Sequence, residues 1–277
     1  MLPQRQSSED RSSQEQSSES VYPIHRQRIP SGSVRQGRYV LTFATDEAQL
    51  ASVLRLRFEV FNLELGEGLE ESFASGLDRD PFDAVCHHLM VIDSQDGQVV
   101  GTYRLQTNEM ATENRGFYSD GEFDLGQLPQ EVSESCVELG RACIHHAHRN
   151  RPVLFLLWKG LASYVAFNQK RFFFGCSSLT SQDPREGQAM LGYLTARGHR
   201  HPTIAVPPRP GLECTVESPT AETTEDVSVP TLFKTYLRYG AKICGSPAID
   251  REFKTIDFLM LFDLESLDER RYRMFFG

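Results

Sequence analysis

Cys136-Val137-Glu138-Leu139-Gly140-Arg141 is a short apolar run that reads as a strand, yet it carries an acid and an arginine on either side of Leu139-Gly140. Pro152 then opens a helical pattern that runs to about Gln169. Proline suits the first turn of a helix because its missing N–H has no intrahelical partner there. Arg171 to Ser177 follows, with Phe172-Phe173-Phe174 in place of polar alternation, and implies a strand buried on both faces. Strand, helix and strand in this order point to an α/β chain with a mixed sheet.

Working outward, Arg38 to Phe43 reads as a first strand. Thr45 or Asp46 can cap a helix with the apolar stripe Leu50, Val53, Leu54, Phe58 and Phe61. Cys86–Ile92 and Gln98–Leu105 flank Asp96-Gly97, which predicts a hairpin. The central strand is expected over Val132–Leu139. Downstream, Asp183-Pro184-Arg185-Glu186 starts a helix that should stop at Gly198. A shorter helix is expected over Thr231–Tyr239, then two last strands over Ala241–Ile249 and Ile256–Phe262. Residues 1–37, rich in Ser, Gln, Glu and Arg, are expected to form a disordered tail. Residues 205–230, rich in Pro, Thr and Glu, are expected to be a surface insertion or lid.

Composition narrows the function. The net charge of -9 argues against a nucleic-acid partner. The arginines Arg26, Arg28, Arg35 and Arg38 read either as part of a solvated tail or as a patch for anionic lipid or an acidic carrier. The six cysteines make no C-x-x-C pair and mostly sit in apolar segments, which suits a reduced, cytoplasmic setting. The longest apolar run, Pro152 to Trp158, is too short to span a membrane, so any contact at the inner face of the cell membrane is expected to be peripheral. Metal-ligand spacings, phosphate loops and a serine-hydrolase elbow are missing from the sequence, and no metal is expected. The adjacent pair His87-His88 must point to opposite faces of its strand.

Opposed charges in apolar settings are the sharper signal. Arg57 lies on or beside the buried helix stripe, Arg104 late in the hairpin, Glu138 and Arg141 on the central strand, and Asp78, Asp80 and Asp83 before the hairpin. Buried charges are costly unless paired or used. Two readings stand: a structural ion-pair network, or a polar pocket in which carboxylates hold an amino acid's ammonium and arginines its carboxylate.

Several blocks carry a family resemblance: Leu54-Arg55-Leu56-Arg57-Phe58-Glu59-Val60-Phe61, Leu77-Asp78-Arg79-Asp80-Pro81-Phe82-Asp83 with His87-His88-Leu89, and Val100-Gly101-Thr102-Tyr103-Arg104-Leu105. Glu138-Leu139-Gly140-Arg141, Leu157-Trp158-Lys159-Gly160-Leu161, Gly175-Cys176-Ser177-Ser178 and Tyr236-Leu237-Arg238-Tyr239-Gly240-Ala241 follow, with Asp250, Phe253 and Asp257 near the end. In order and number these resemble the bacterial ornithine lipid-type N-acyltransferases of the GNAT superfamily, relatives of the autoinducer synthases and N-acyl amino acid synthases. The resemblance covers roughly residues 38–270 and departs at Ala142, where the family motif continues with Ser.

The resemblance implies a GNAT-like domain over 38–277, a twisted mixed sheet with flanking helices whose fourth and fifth strands splay to grip a pantetheine arm. It implies a long-chain acyl group delivered as the 4'-phosphopantetheine thioester of acyl carrier protein, with acyl-CoA as the alternative donor, and a small amino acid such as ornithine as acceptor. No tightly bound cofactor is expected. Glu138 would be the base, Arg141 would orient it or bind substrate, and His87 or His88 would share proton transfer. Arg57, Asp78, Asp83 and Arg104 would position the acceptor. Arg149 and Arg151 would meet the donor phosphate, and Phe172 and Phe174 would line the acyl tunnel. Two alternatives stay open: an autoinducer (acyl-homoserine lactone) type synthase, and a non-catalytic protein of the same fold that binds acyl carrier or lipid.

Overall fold

The structure, a computed structural model, describes residues 22–216 and 227–276. The strands are β1 (Val34–Gln36), β2 (Tyr39–Phe43), β3 (His87–Asp93), β4 (Val99–Thr107), β5 (Cys136–Ile144), β6 (Phe172–Leu179), β7 (Lys242–Ile243), β8 (Ala248–Asp250) and β9 (Thr255–Asp263). The helices are α1 (Glu47–Arg57), α2 (Ser72–Ser75), α3 (Asn108–Glu113), α4 (Gln130–Glu134), α5 (Arg151–Phe167), α6 (Pro184–Ala196), α7 (Thr231–Tyr239) and α8 (Glu269–Phe276). One mixed sheet runs β1-β2-β3-β4-β5-β6-β9-β7, with β8 also on the free edge of β9. Every pairing is antiparallel except β5 with β6, which α5 connects. The mixed α/β sheet with flanking helices expected from the sequence is the one observed. Among the described residues no helix is long and apolar enough to cross a membrane.

Side-chain chemistry sets the element ends. Asp46 caps α1 by accepting from the Gln49 N–H, Asn150 caps α5 through Val153, and Asp183 caps α6 through Arg185. Gly240, with φ +106, ends α7 in the left-handed region. The apolar stripe after Arg57 continues as a π-helical segment, Phe58–Glu64. The main core lies between the sheet and α5, α6 and α7, with Val153, Leu156, Leu161, Met190, Leu194 and Phe233 among its buried residues. On the other face, α1 covers Met90 through Leu50, Val53 and Leu54, and Phe123, Leu128 and Val132 cover Phe172, Phe174 and Leu259.

Four expectations change. Residues 1–21 of the expected tail lie outside the described residues, while 22–37 are structured: Tyr22 is buried, and Val34–Gln36 pairs with β2. The arginines there have protein partners. Arg38 pairs with Asp93, Arg28 with Glu109, Arg26 donates to the Thr45 carbonyl and Arg35 to Ser94. The central strand begins at Cys136 rather than Val132, because Gln130–Glu134 forms a helical turn that buries Val132. Of the expected surface insertion, 217–226 lie outside the described residues. Within 205–216, Val206 and Cys214 are buried, and Val206 bonds through its backbone to Cys244.

β5 and β6 pair only at Cys136–Phe172, Val137–Phe173 and Glu138–Phe174, although both strands continue. Two features drive them apart. Thr102 pairs with Cys143 and Arg104 with Gly140, so Arg141 and Ala142 on β5 oppose the single residue Tyr103 on β4. Such a bulge bends its strand and increases the local twist. Arg141 meets that geometry with φ +45, a region that non-glycine residues enter rarely. On β6, Gly175 accepts the last close approach: a Cβ there would lie 2.1 Å from the Leu139 carbonyl oxygen. Beyond this point the strands border two cavities that share Leu139 and Cys176.

Gly175→Ala should therefore destabilise the fold by about 2 kcal/mol or more, since rigid backbone rather than a mobile side chain must yield. Urea titration would measure it, and an unchanged midpoint would show that the approach of the two strands is not constrained there.

Candidate functional site

Arg57, the last residue of α1, is fully buried. Its Nε donates to Asp78 at 2.7 Å and its Nη1 to Asp83 at 2.6 Å. Arg104 on β4 donates through Nη1 to both oxygens of Asp80 at 2.6 Å and to Asp83 at 3.1 Å. Arg141 on β5 donates through Nη2 to Asp80 at 3.1 Å, and its Nε stands 3.5 Å from Asp78. Three guanidinium charges thus face three carboxylates, so the cluster is neutral overall, and none of its side chains is more than 7% exposed. Burial opposes the ionisation of Asp83, but the charge of Arg57, the His88 hydrogen bond and Arg104 outweigh it and hold its carboxyl well below the usual range. Burial likewise opposes the charge on Arg57 and on Arg104, and the aspartates more than restore it.

A polar cavity opens beside this cluster, bordered by Arg104, Tyr118, Ser119, Glu138, Arg141, Asp250, Phe253 and Asp257. Glu138 sits at the last paired position of β5, opposite Phe174. One carboxylate oxygen accepts from the Ser119 N–H (2.7 Å) and hydroxyl (2.6 Å), the other from the Tyr118 N–H (2.9 Å). Burial raises its pKa above the ordinary carboxyl value, and the donors of Ser119 and Tyr118 offset this only in part. The Arg141 guanidinium lies over the rings of Phe253 (4.0 Å) and Tyr118 (4.9 Å). Its Nε makes no hydrogen bond and stands 3.5 Å from Asp78, on the buried side of the cluster.

The second cavity is apolar and lies in the splay, bordered by Leu139, Trp158, Phe173, Phe174, Gly175, Tyr236 and Met260. Alternation along β6 places Phe173 in the main core and on this cleft, while Phe172 faces the other side of the sheet against Cys136 and Leu259. Phe172 does not border the cleft, although the expected tunnel included it; Phe174 does.

Asp78, Arg57, Asp83, His87, His88, Arg149 and Arg151 lie away from both cavities. His87 hydrogen-bonds Tyr164 (2.8 Å) and the Ile24 carbonyl (2.9 Å), and burial pushes its pKa down to about 4. His88 lies between Tyr22 (2.9 Å) and Asp83 (3.2 Å). The histidines point to opposite faces, as neighbours in a strand must, and both anchor the 22–24 segment. Arg57 and Asp83 sit behind the cavity wall, where they support Arg104 and Asp80. Arg149 is engaged by Glu64 at 2.6 and 2.7 Å and by the Ile144 carbonyl, while Arg151 is exposed at the start of α5.

The structure adds residues that the sequence reading did not assign. Asp80 bridges Arg104 and Arg141. Tyr118 and Ser119 come from a turn within an irregular stretch that carries no local signal. Asp257 had a signal: an acid inside the apolar run Ile256-Asp257-Phe258-Leu259. Glu122, Cys176 and Asp257 place ligand atoms within 4.8 Å of one another.

Arg57→Met should cost about 3–5 kcal/mol, because it leaves two buried carboxylates without their main partner. Denaturant unfolding measures this, and a loss below about 1 kcal/mol would show the network to be dispensable. A second outcome concerns acid. The folded pKa of His87 lies below its unfolded value near 6.5, so the unfolded chain binds more protons between about pH 6.5 and 4. Stability should fall as pH drops through that window, and His87→Gln should flatten the fall; an equal slope in the variant would clear His87 of the effect.

Residues 56–159, from the end of α1 into α5, match the acetyltransferase (GNAT) domain family. The chain is 31% identical over 262 residues to an L-ornithine N(alpha)-acyltransferase of Brucella abortus (strain 2308), covering 88% of this chain and 90% of that protein. It is 30% identical over 245 residues to the enzyme of the same name from Rhizobium meliloti (strain 1021), covering 84% and 82%. In fold it is similar to FeeM, an N-acyl amino acid synthase from uncultured soil microbes, with a TM-score of 0.51 and 10% sequence identity, over 83% of this chain and 92% of that one. The chain belongs to the GNAT acyltransferases, in the family that includes the L-ornithine N(alpha)-acyltransferases.

Proposed function

We propose that this acyltransferase moves a long-chain fatty acyl group from the 4'-phosphopantetheine thioester of acyl carrier protein to the α-amine of ornithine. One observation carries the reading: the apolar cleft of the β5–β6 splay and the polar cavity holding Glu138, Arg104 and Arg141 meet at Leu139 and Cys176. An acyl thioester fits the first and a zwitterionic acceptor the second, so the reacting atoms would meet at the junction. The relatives' names supply ornithine as acceptor.

The acceptor's carboxylate would lie against Arg104 and Arg141, the two arginines that border the polar cavity. An α-ammonium must lose a proton before its nitrogen can attack. Glu138, with its raised pKa, would take that proton directly or through a water. The amine nitrogen then bonds to the thioester carbon, and the oxyanion that forms is met by backbone N–H groups of β5 beyond Glu138, where the β6 partner has been lost. The C–S bond breaks, the pantetheine sulfur leaves and is protonated, and the amide remains. This route needs no acyl-enzyme, and burial raises the Cys176 thiol well above the ordinary value, which disfavours the thiolate that a nucleophile would need. On the donor side, the turn from β5 to α5 offers Arg151 to the phosphate, while Arg149 would have to leave Glu64 first.

Incubation with long-chain acyl carrier protein and ornithine should give N-acylornithine by mass spectrometry; no product would overturn the proposal. Glu138→Gln should lower kcat by about 10²–10⁴ with little change in KM. Because the carboxylate is the active form, the wild-type rate should rise with pH through the raised Glu138 pKa, and the variant should lose that limb. Unaltered kcat would remove Glu138 as base.

A further inference from the structure

Opposite the arginines, the polar cavity has an acidic wall that the mechanism above does not use. Asp257 lies on β9, with Ser178 of β6 on one side and Ala248 of β8 on the other. It is 3% exposed and borders the cavity. Its Oδ2 accepts from the Thr255 hydroxyl at 3.2 Å, while its Oδ1 is buried without a donor. Glu122 faces it from the turn that also supplies Ser119, and Glu122 Oε1 is likewise buried without a donor. Asp250 borders the same cavity, and with Tyr118 and Glu122 it lines the adjoining groove.

Two buried carboxylates side by side, each with an unmet oxygen, are costly unless a cation or a proton joins them. The nearest guanidinium groups are already matched by Asp78, Asp80 and Asp83. Burial, followed by the charge of Asp257, drives Glu122 well above the ordinary carboxyl value, so without a ligand the two carboxyls share a proton, which an entering cation would displace. The wall therefore invites a cation that enters through the cavity. The thiol of Cys176 points toward Glu122 (3.6 Å) and Ser119 (3.5 Å) as a donor, which favours an ammonium over a metal ion that would need the thiolate.

We propose that Asp257 and Glu122, with Asp250 at the rim, form the subsite that binds the side-chain ammonium of a diamino acid acceptor. This rests on the acceptor reading above and deepens it. The arginines hold the carboxylate at one end, Glu138 serves the α-amine at the junction, and the acidic wall reads the far end of the side chain. The acids thereby separate ornithine from amino acids of equal length that lack the second amine.

The test compares kcat/KM for ornithine and for norvaline, which has the same carbon skeleton without the δ-amine, using the full-length enzyme and acyl carrier protein thioester. Wild type should prefer ornithine, and Asp257→Asn or Glu122→Gln should reduce the ornithine-to-norvaline ratio by about 10- to 100-fold, the value of a buried charge-assisted hydrogen bond. Folded variants with an unchanged ratio would overturn the subsite while leaving ornithine acylation standing. If the variants do not fold, wild type decides alone: equal use of the two acceptors overturns the subsite, and a strong ornithine preference supports it. A stoichiometric divalent metal in the purified enzyme, lost in Glu122→Gln, would make this a metal site and overturn the proposal. A wild type that acylates norvaline but not ornithine would instead refute the acceptor reading itself, and the subsite with it.

Discussion

Three guanidinium groups and three aspartate carboxylates share one buried volume between α1, the 78–83 turn, β4 and β5. None of these charges is stable there alone, because removing a single ion from water costs several kcal/mol or more. Together they are neutral, and their forks and carboxylates satisfy much of one another's hydrogen-bonding capacity. The 78–83 turn folds around this arrangement: Asp83 also accepts the Asp80 N–H, and Asp80 accepts the Phe82 N–H. Helix, turn and two strands are thereby fixed to one another by directional bonds, where apolar packing alone would permit sliding.

The bulge at Arg141 depends on that cluster. A non-glycine residue at φ +45 persists only where its surroundings over-determine it. Asp80 on one side and the rings of Phe253 and Tyr118 on the other do so here. The bulge turns β5 away from β6, and the gap exposes the strand's backbone next to Glu138. The same buried charges that stabilise the fold thus hold open the gap between β5 and β6, where we propose that acyl donor and amine meet. Arg104 and Arg141 belong to both functions, facing aspartates behind and the cavity in front.

The charges divide between an ion-pair network and a cavity wall. Arg57, Asp78 and Asp83 form the buried side, Arg104 and Arg141 the shared boundary, and Glu138 the cavity side. His87 and His88 belong to the anchoring of the 22–24 segment, whose partners were invisible in a sequence that reads there as polar tail. Tyr118 and Ser119 were equally hidden, because a turn that supplies two N–H donors to a carboxylate needs no characteristic side chains.

The sequence by itself determined the order of strands and helices, since apolar periodicity, caps and turn residues act locally. It also revealed that charges lie in apolar segments, because an arginine in a helix stripe or an acid in a strand stands out against its neighbours. Which charges meet was decided only by the tertiary structure: Arg57 and Asp83, or Glu138 and Ser119, are brought together by chain paths that no local pattern encodes. The bulge, the splay and the unmet oxygens of Asp257 and Glu122 are likewise relations between strands, and they exist only once the sheet has closed around them.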